Sequence, residues 1–247
     1  MVGGAAAVLG TPLGRSRAAA LCLTLGALAA WAAGAGVLPN VGMWPDVLVV
    51  SLLLIPATFL VPWLALPLAD ARGLAAVAAA LGVLAVLLAL AGLGSLFNVT
   101  KLLALTLAGF WFLQLFEALS WVVLVALVIP WVDAISVWRG PTDYVVSEQP
   151  NLFERVSYAF RLPGEEGTAN IGPPDILFFA LFLATAARFE LRVGWTWVAM
   201  TALLSLTVIV TVAFDMGGLP ALPAVAFGFL LPNADLIWVQ ARSARRA

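Results

Sequence analysis

The apolar positions of this chain fall in long unbroken runs, not in the spaced stripes of a helix with one watery face. Such runs occupy residues 18–38, 46–68, 73–97, 99–138, 173–187, 195–214 and 219–239. A helix needs about 20 apolar residues to cross roughly 30 Å of hydrocarbon, so most of these runs predict one span each. The run 99–138 is too long for one span and predicts two, with the break at 114–120, around Glu117. The sum is eight spans in an all-α polytopic membrane protein. Run 18–38 has the length of a span and is read as a retained helix, although its alanine-rich sequence also suits a secretory signal. Run 46–68 carries Pro56, Pro62 and Pro67. Proline is tolerated in a bilayer where neighbours satisfy the freed carbonyls, so a bent helix is expected there.

The polar intervals set boundaries and orientation. The only long one, 139–171, contains Gly140, Pro141, Pro150, Pro163, Gly164 and Gly167 and reads as a loop or a partly ordered flap. It divides the chain into an N-terminal set of helices (1–138), the loop itself, and a C-terminal set (172–247). With eight spans, Arg15, Arg17, Arg72, Arg188, Arg192 and the tail arginines Arg242, Arg245 and Arg246 fall on one side. The positive-inside rule makes that side cytoplasmic, with the C-terminus inside and the loop outside. Lys101 opposes this mildly. Trp121, Trp138, Trp195, Trp197 and Trp238 are expected to anchor spans at the interface. No internal repeat supports an inverted-repeat transporter. The Asn98-Val99-Thr100 glycosylation pattern sits at a membrane edge and is given no role.

Composition narrows the chemistry. The chain is 64% hydrophobic and 10% charged, against about 45–50% and 25% in soluble domains, so the lipid bilayer must solvate most of its surface. It is expected in the plasma membrane as a multi-pass protein. Arginine outnumbers lysine eleven to one, which with the abundant alanine suggests a GC-rich bacterial genome. A net charge of −1 argues against nucleic acid as a partner, since that needs a basic patch. The lone Cys22 excludes an intramolecular disulfide framework. Histidine is absent, which removes His-activated nucleophiles, HExxH zinc sites and haem ligation by histidine. No metal or organic cofactor is implied. If the chain is hydrolytic, carboxylates are the agents.

Two carboxylates stand out. Asp133 lies inside the run before the loop, and Asp175 opens the run after it. A charge at a helix centre in the bilayer costs roughly 2.5–3.5 kcal/mol by insertion measurements, so each needs a reason. Taken singly, the reasons are structural: Asp133 as a carboxylate bonded to a neighbouring helix, Asp175 as a first-turn residue complementing the helix dipole, and 220–223 as an interfacial turn. Glu117 and Asp215 read as watery helix ends.

Three stretches taken together change this. They are Pro130-Trp131-Val132-Asp133, Gly172-Pro173-Pro174-Asp175 and Leu219-Pro220-Ala221-Leu222-Pro223. In this order, with a long polar loop between the first two and one plain helix before the third, they resemble the presenilin and signal peptide peptidase family of intramembrane aspartyl proteases. That family carries Tyr-Asp, then Gly-x-Gly-Asp, then Pro-Ala-Leu. The resemblance covers about residues 118–240. It departs at Val132, which replaces the tyrosine, and at Pro174, which replaces the second glycine.

The resemblance implies a presenilin-like helical bundle, nine spans in the family against eight counted here, in a prokaryotic relative. It also implies catalytic roles for Asp133 and Asp175, and substrate binding at Pro220, Ala221, Leu222 and Gly172. Substrates would be single-span proteins or signal-peptide-like segments; the oligomeric state stays open. Two carboxylates about 3 Å apart share one proton and titrate as a coupled pair. The ionised member takes a proton from water while the other polarises the scissile carbonyl. The helix N-terminus favours Asp175 as the base, leaving Asp133 as the acid. Pro220 and Pro223 prevent a regular helix start and leave backbone groups with which an extended substrate could pair. Two other readings stand beside this one: a pseudoprotease that binds membrane helices without cutting them, which the glycine-to-proline change favours, and a small proton-coupled transporter using the same carboxylates.

Overall fold

The computed structural model describes residues 13–139, 156–165, 167–216 and 219–244. The described residues fold into apolar helices with one small hairpin: α1 Arg15–Gly34, α2 Met43–Leu68, α3 Leu74–Leu90, α4 Gly94–Leu113, α5 Leu119–Arg139, β1 Tyr158–Arg161, β2 Thr168–Ile171, α6 Pro173–Arg188, α7 Val193–Ala213, α8 Leu222–Leu230 and α9 Ala234–Ala244. Six stretches are long and apolar enough to cross a membrane: α1, α2, α4, α5, α7 and the stretch Leu222–Arg242. This is a multi-pass helical membrane protein.

The sequence explains where helices bend and break. In α2 the ladder widens to a π turn over Val50–Leu54, just before Pro56. Proline has no N–H to donate back four residues, and a π turn absorbs that mismatch. The expected single run 73–97 is divided, because α3 ends at Leu90 and Gly92 at φ +73° turns the chain into α4. The 40-residue run does break where expected, between Leu113 and Leu119. Leu119, Val122 and Ala126 are the buried residues of α5. Their three- and four-residue spacing continues to Asp133 and puts it on the packed seam, while Trp131, Val132 and Ile135 face outward.

α6 is the central helix. Ile176 and every residue from Phe179 to Ala187 are buried, and it packs against α2, α4, α7 and α8. Phe59 of α2 stacks on Phe179 with ring centroids 4.1 Å apart, and Phe182 stacks on Phe229 of α8 at 4.9 Å. Small residues permit the closest approaches, as membrane helix contacts require. A Cβ on Gly109 of α4 would stand 2.4 Å from the Leu177 carbonyl oxygen, and one on Gly228 of α8 would stand 2.5 Å from Cα of Met200.

Polar contacts mark the two ends of the bundle. At one end Asp70 pairs with Arg188, and Arg192 pairs with Asp235 at 2.6 Å. There Gln114 donates to the carbonyls of Ala69 and Ala71. At the other end sits the hairpin, in register from Tyr158↔Ile171 to Arg161↔Thr168. The polar segment 139–171 therefore closes with a β-hairpin; its residues 140–155 lie outside the described set.

The hairpin is built into the bundle. Tyr158 and Phe160 are buried. The Asn98 amide in α4 bonds both backbone groups of Ala159, donating to its carbonyl at 2.7 Å and accepting its N–H at 3.1 Å. Lys101 donates to the Ser157 carbonyl. Gly164, in the turn at φ +66°, donates to the Ala35 carbonyl at 3.1 Å. A Cβ there would collide with the backbone of Asn40 at 2.4 Å.

Trp121, Trp195 and Trp238 are exposed on the outer surface, where interfacial anchors belong. Trp197 is not one of them. It is partly buried, donates its indole N–H to the Phe59 carbonyl at 2.8 Å, and meets Trp63 edge-on. The Trp138 side chain lies outside the described residues.

Candidate functional site

Asp175 owes its place to the residues just before it. A residue preceding proline is pushed into extended backbone, and Gly172 adopts φ −64°, ψ 146°. Pro173 and Pro174 fill the first turn of α6, where no backbone donor is needed. Asp175 then stands at the third helical position. Its N–H donates to the Gly172 carbonyl at 3.1 Å, and its Oδ2 accepts the Gly172 N–H at 3.1 Å. The carboxylate is buried and folds back on the glycine backbone. A Cβ on Gly172 would stand 3.0 Å from Oδ2. Pro174 is thus accommodated at the helix start, and Gly172 supplies the close approach to the carboxylate.

Asp133 reaches the same region from α5. It is half-buried, one turn beyond Pro130, and its Oδ2 accepts the Leu222 N–H at 3.0 Å. That N–H is one of the donors that a helix start leaves unpaired, and Pro220 and Pro223 bracket it. The Ala221 carbonyl accepts from the N–H groups of Ala224 and Val225. The backbone donor that the two prolines free is therefore taken by Asp133. α8 packs against both α5 and α6, and α5 and α6 also touch each other. Among the described residues no hydrogen bond joins the two side chains directly; each carboxylate instead holds a backbone N–H at a helix start.

The remaining substrate-binding candidates sit beside this pair. Gly172 supports Asp175, as described. Pro220 lines an apolar groove of about 440 Å³ between α7 and α8, together with Leu203, Leu206, Pro223 and Phe227. Glu117 and Asp215 lie at helix ends and are exposed. Among the described residues no three His, Cys, Asp or Glu side chains gather as metal ligands.

Sequence reasoning passed over two polar groups. Asn98 fixes the hairpin that leads directly into Gly172, and a polar amide in a spanning helix was the signal for it. Asp46, in the first turn of α2, is buried with both carboxylate oxygens unpartnered; it stood at the edge of an apolar run, where a carboxylate looks solvated.

Compared with known proteins, the chain matches no protein-family model and no curated protein. The fold and composition define a multi-pass helical membrane protein, and the reading of its site rests on its own residues.

Proposed function

We propose that the protein is an intramembrane aspartyl protease in which Asp133 and Asp175 activate water to hydrolyse peptide bonds of single-span membrane segments. The observation that carries this reading is convergence. Asp133, Asp175 and the Pro220-Ala221-Leu222 turn come from three separate parts of the chain and meet at one place in an apolar bundle. One carboxylate, ionised, removes a proton from water. Its partner, protonated, donates a hydrogen bond to the scissile carbonyl as the hydroxide adds, and the shared proton later leaves with the amine. Either carboxylate can serve as the base, with the other as the acid.

The hairpin offers a place for the substrate backbone. The outer edge of β1 is closed at Ala159 by Asn98; on the outer edge of β2 the Thr168 carbonyl accepts from the Asn170 side chain at 3.3 Å, and among the described residues no backbone–backbone bond reaches that edge. A segment unwound to extended form can add there as a strand, just ahead of Asp175. Counting α3 and α6 with the six longer stretches gives eight passes. The positive-inside rule then places the Arg188–Arg192 end and the C-terminus in the cytoplasm and the hairpin outside, in the plasma membrane.

A second reading is a pseudoprotease that binds membrane helices without cutting them. The hydrogen bonds support it: both carboxylates already serve as acceptors at helix starts, Asp175 for Gly172 and Asp133 for Leu222. Photo-crosslinking with a hydroxyl-bearing transition-state mimic separates the two. The purified protein in detergent is expected to label, and the isosteric Asp133→Asn and Asp175→Asn variants each to lose the label. A folded wild type that does not label, or variants that label as well as wild type, would leave the pseudoprotease as the better reading.

A further inference from the structure

Among the described residues, Asp46 is the buried carboxylate that the Asp133–Asp175 site leaves unused. It stands in the first turn of α2, 3% exposed, and neither of its oxygens accepts a hydrogen bond. It therefore does not cap the helix start, which is the usual work of an acidic residue there. A buried charge is ordinarily paired with a base or bound to a metal ion. The ion pairs of the described residues, Asp70–Arg188 and Arg192–Asp235, lie at the other end of the bundle.

The hairpin turn rests on the linker that leads into α2, and Asn40 joins the two. Its Nδ2 donates to Oε1 of Glu165 at 3.1 Å, and its Oδ1 accepts the Gly42 N–H at 2.8 Å. The Gly42 carbonyl in turn accepts the Asp46 N–H at 3.2 Å. Three consecutive hydrogen bonds thus link Glu165 to Asp46. Gly164 packs so closely on the linker that a Cβ there would stand 2.7 Å from the Leu38 carbonyl oxygen. Arg161, the basic residue of the hairpin, lies over Gly36, where a Cβ would stand 2.7 Å from its guanidinium, and makes no ion pair with either carboxylate.

The groups that this corner offers a ligand are oxygens: two carboxylates, the Asn40 amide and the Leu38 carbonyl. Calcium takes about six to eight such oxygens in flexible geometry, and its charge balances two carboxylates. We infer that Asp46 and Glu165 bind a calcium ion between the start of α2 and the hairpin turn, clipping the hairpin to the bundle. This is independent of any proteolytic role. With only two carboxylates the affinity belongs with extracellular calcium modules, at about 0.1–1 mM.

The test uses the full-length protein purified in detergent and stripped with EDTA. Terbium stands in for calcium, and its emission is read on tryptophan excitation. Trp44, exposed and two residues before Asp46, is the donor. Sensitised emission is expected, displaced by calcium with a midpoint of about 0.1–1 mM. Calcium should also slow amide exchange across residues 158–171 several-fold. Asp46→Asn and Glu165→Gln are each expected to weaken calcium binding at least about tenfold, because each removes a charge from the ligand set. Glu165 lies in a half-buried turn, so Glu165→Gln reads the site even if Asp46→Asn does not fold. A wild type without calcium-displaceable emission, or variants that bind calcium as tightly as wild type, overturns the proposal. Hairpin exchange that calcium leaves unchanged overturns the clip.

Discussion

At the scale of single residues, Gly172 is the position where a methyl group separates the two readings of the site. Its backbone N–H holds Oδ2 of Asp175, and an added Cβ would stand 3.0 Å from that oxygen. The neighbour that must give way is a side-chain end and not backbone, so the fold survives and only the carboxylate moves. Displacements of this kind near a reacting group cost up to about a hundredfold. Gly172→Ala is therefore expected to cut labelling by the transition-state mimic at least about tenfold while its thermal unfolding midpoint stays within a few degrees of wild type. Unchanged labelling would mean that the carboxylate does not need this position to react. Asp175 was legible in the sequence because a carboxylate at the mouth of an apolar run costs too much to be casual. Its hydrogen bond to Gly172 was not, because Gly-Pro-Pro-Asp fixes the backbone direction but leaves the rotamer of Asp175 to its surroundings.

At the scale of elements, the hairpin is the clearest departure from what the sequence suggests. Tyr158-Ala159-Phe160-Arg161 alternates, but four residues among prolines and glycines are too few to read as a strand, and an isolated two-stranded sheet is marginal in water. What stabilises it is remote: Asn98 replaces a missing third strand at Ala159, and Tyr158 is driven into the core. Burial pushes the Tyr158 phenol from 10.0 up to about 12. A raised folded value means the neutral phenol is favoured, so this stabilisation is full below pH 10 and is lost as the pH climbs towards 12. The wild-type minus Tyr158→Phe difference in phenolate absorbance is expected to titrate with a midpoint near 12. The variant should also lack the loss of stability that wild type shows between pH 10 and 12. A midpoint near 10 would place the phenol in water and undo this account of the hairpin.

At the scale of the whole molecule, orientation follows from which ends the ion pairs and the hairpin occupy. Asp70, Arg188, Arg192 and Asp235 cluster at one end, and the hairpin lies at the other. In a Cys22→Ser background, Gly167→Cys and Arg72→Cys report the two ends, and both positions are exposed. A membrane-impermeant maleimide applied to intact cells is expected to label the former at once and the latter only after lysis. The reverse pattern would invert the assignment, and labelling of both from outside would mean an even number of passes between them.

The sequence by itself determined the environment and most of the helices, because apolar run length against bilayer thickness is a local property. The break at 114–120 is readable that way, and so are the two carboxylates and the proline-bracketed turn as a set of candidates. The inward seam through Val122, Ala126 and Asp133 is not, because the run is apolar on every face. The tertiary structure alone decided their company. Asp133 meets the Leu222 N–H across 89 positions of chain, Asn98 meets Ala159 across 61, and Trp197 meets Phe59 across 138. Contacts of that span depend on how whole helices pack, through glycines such as Gly109 and Gly228, and no periodicity within a single run encodes them.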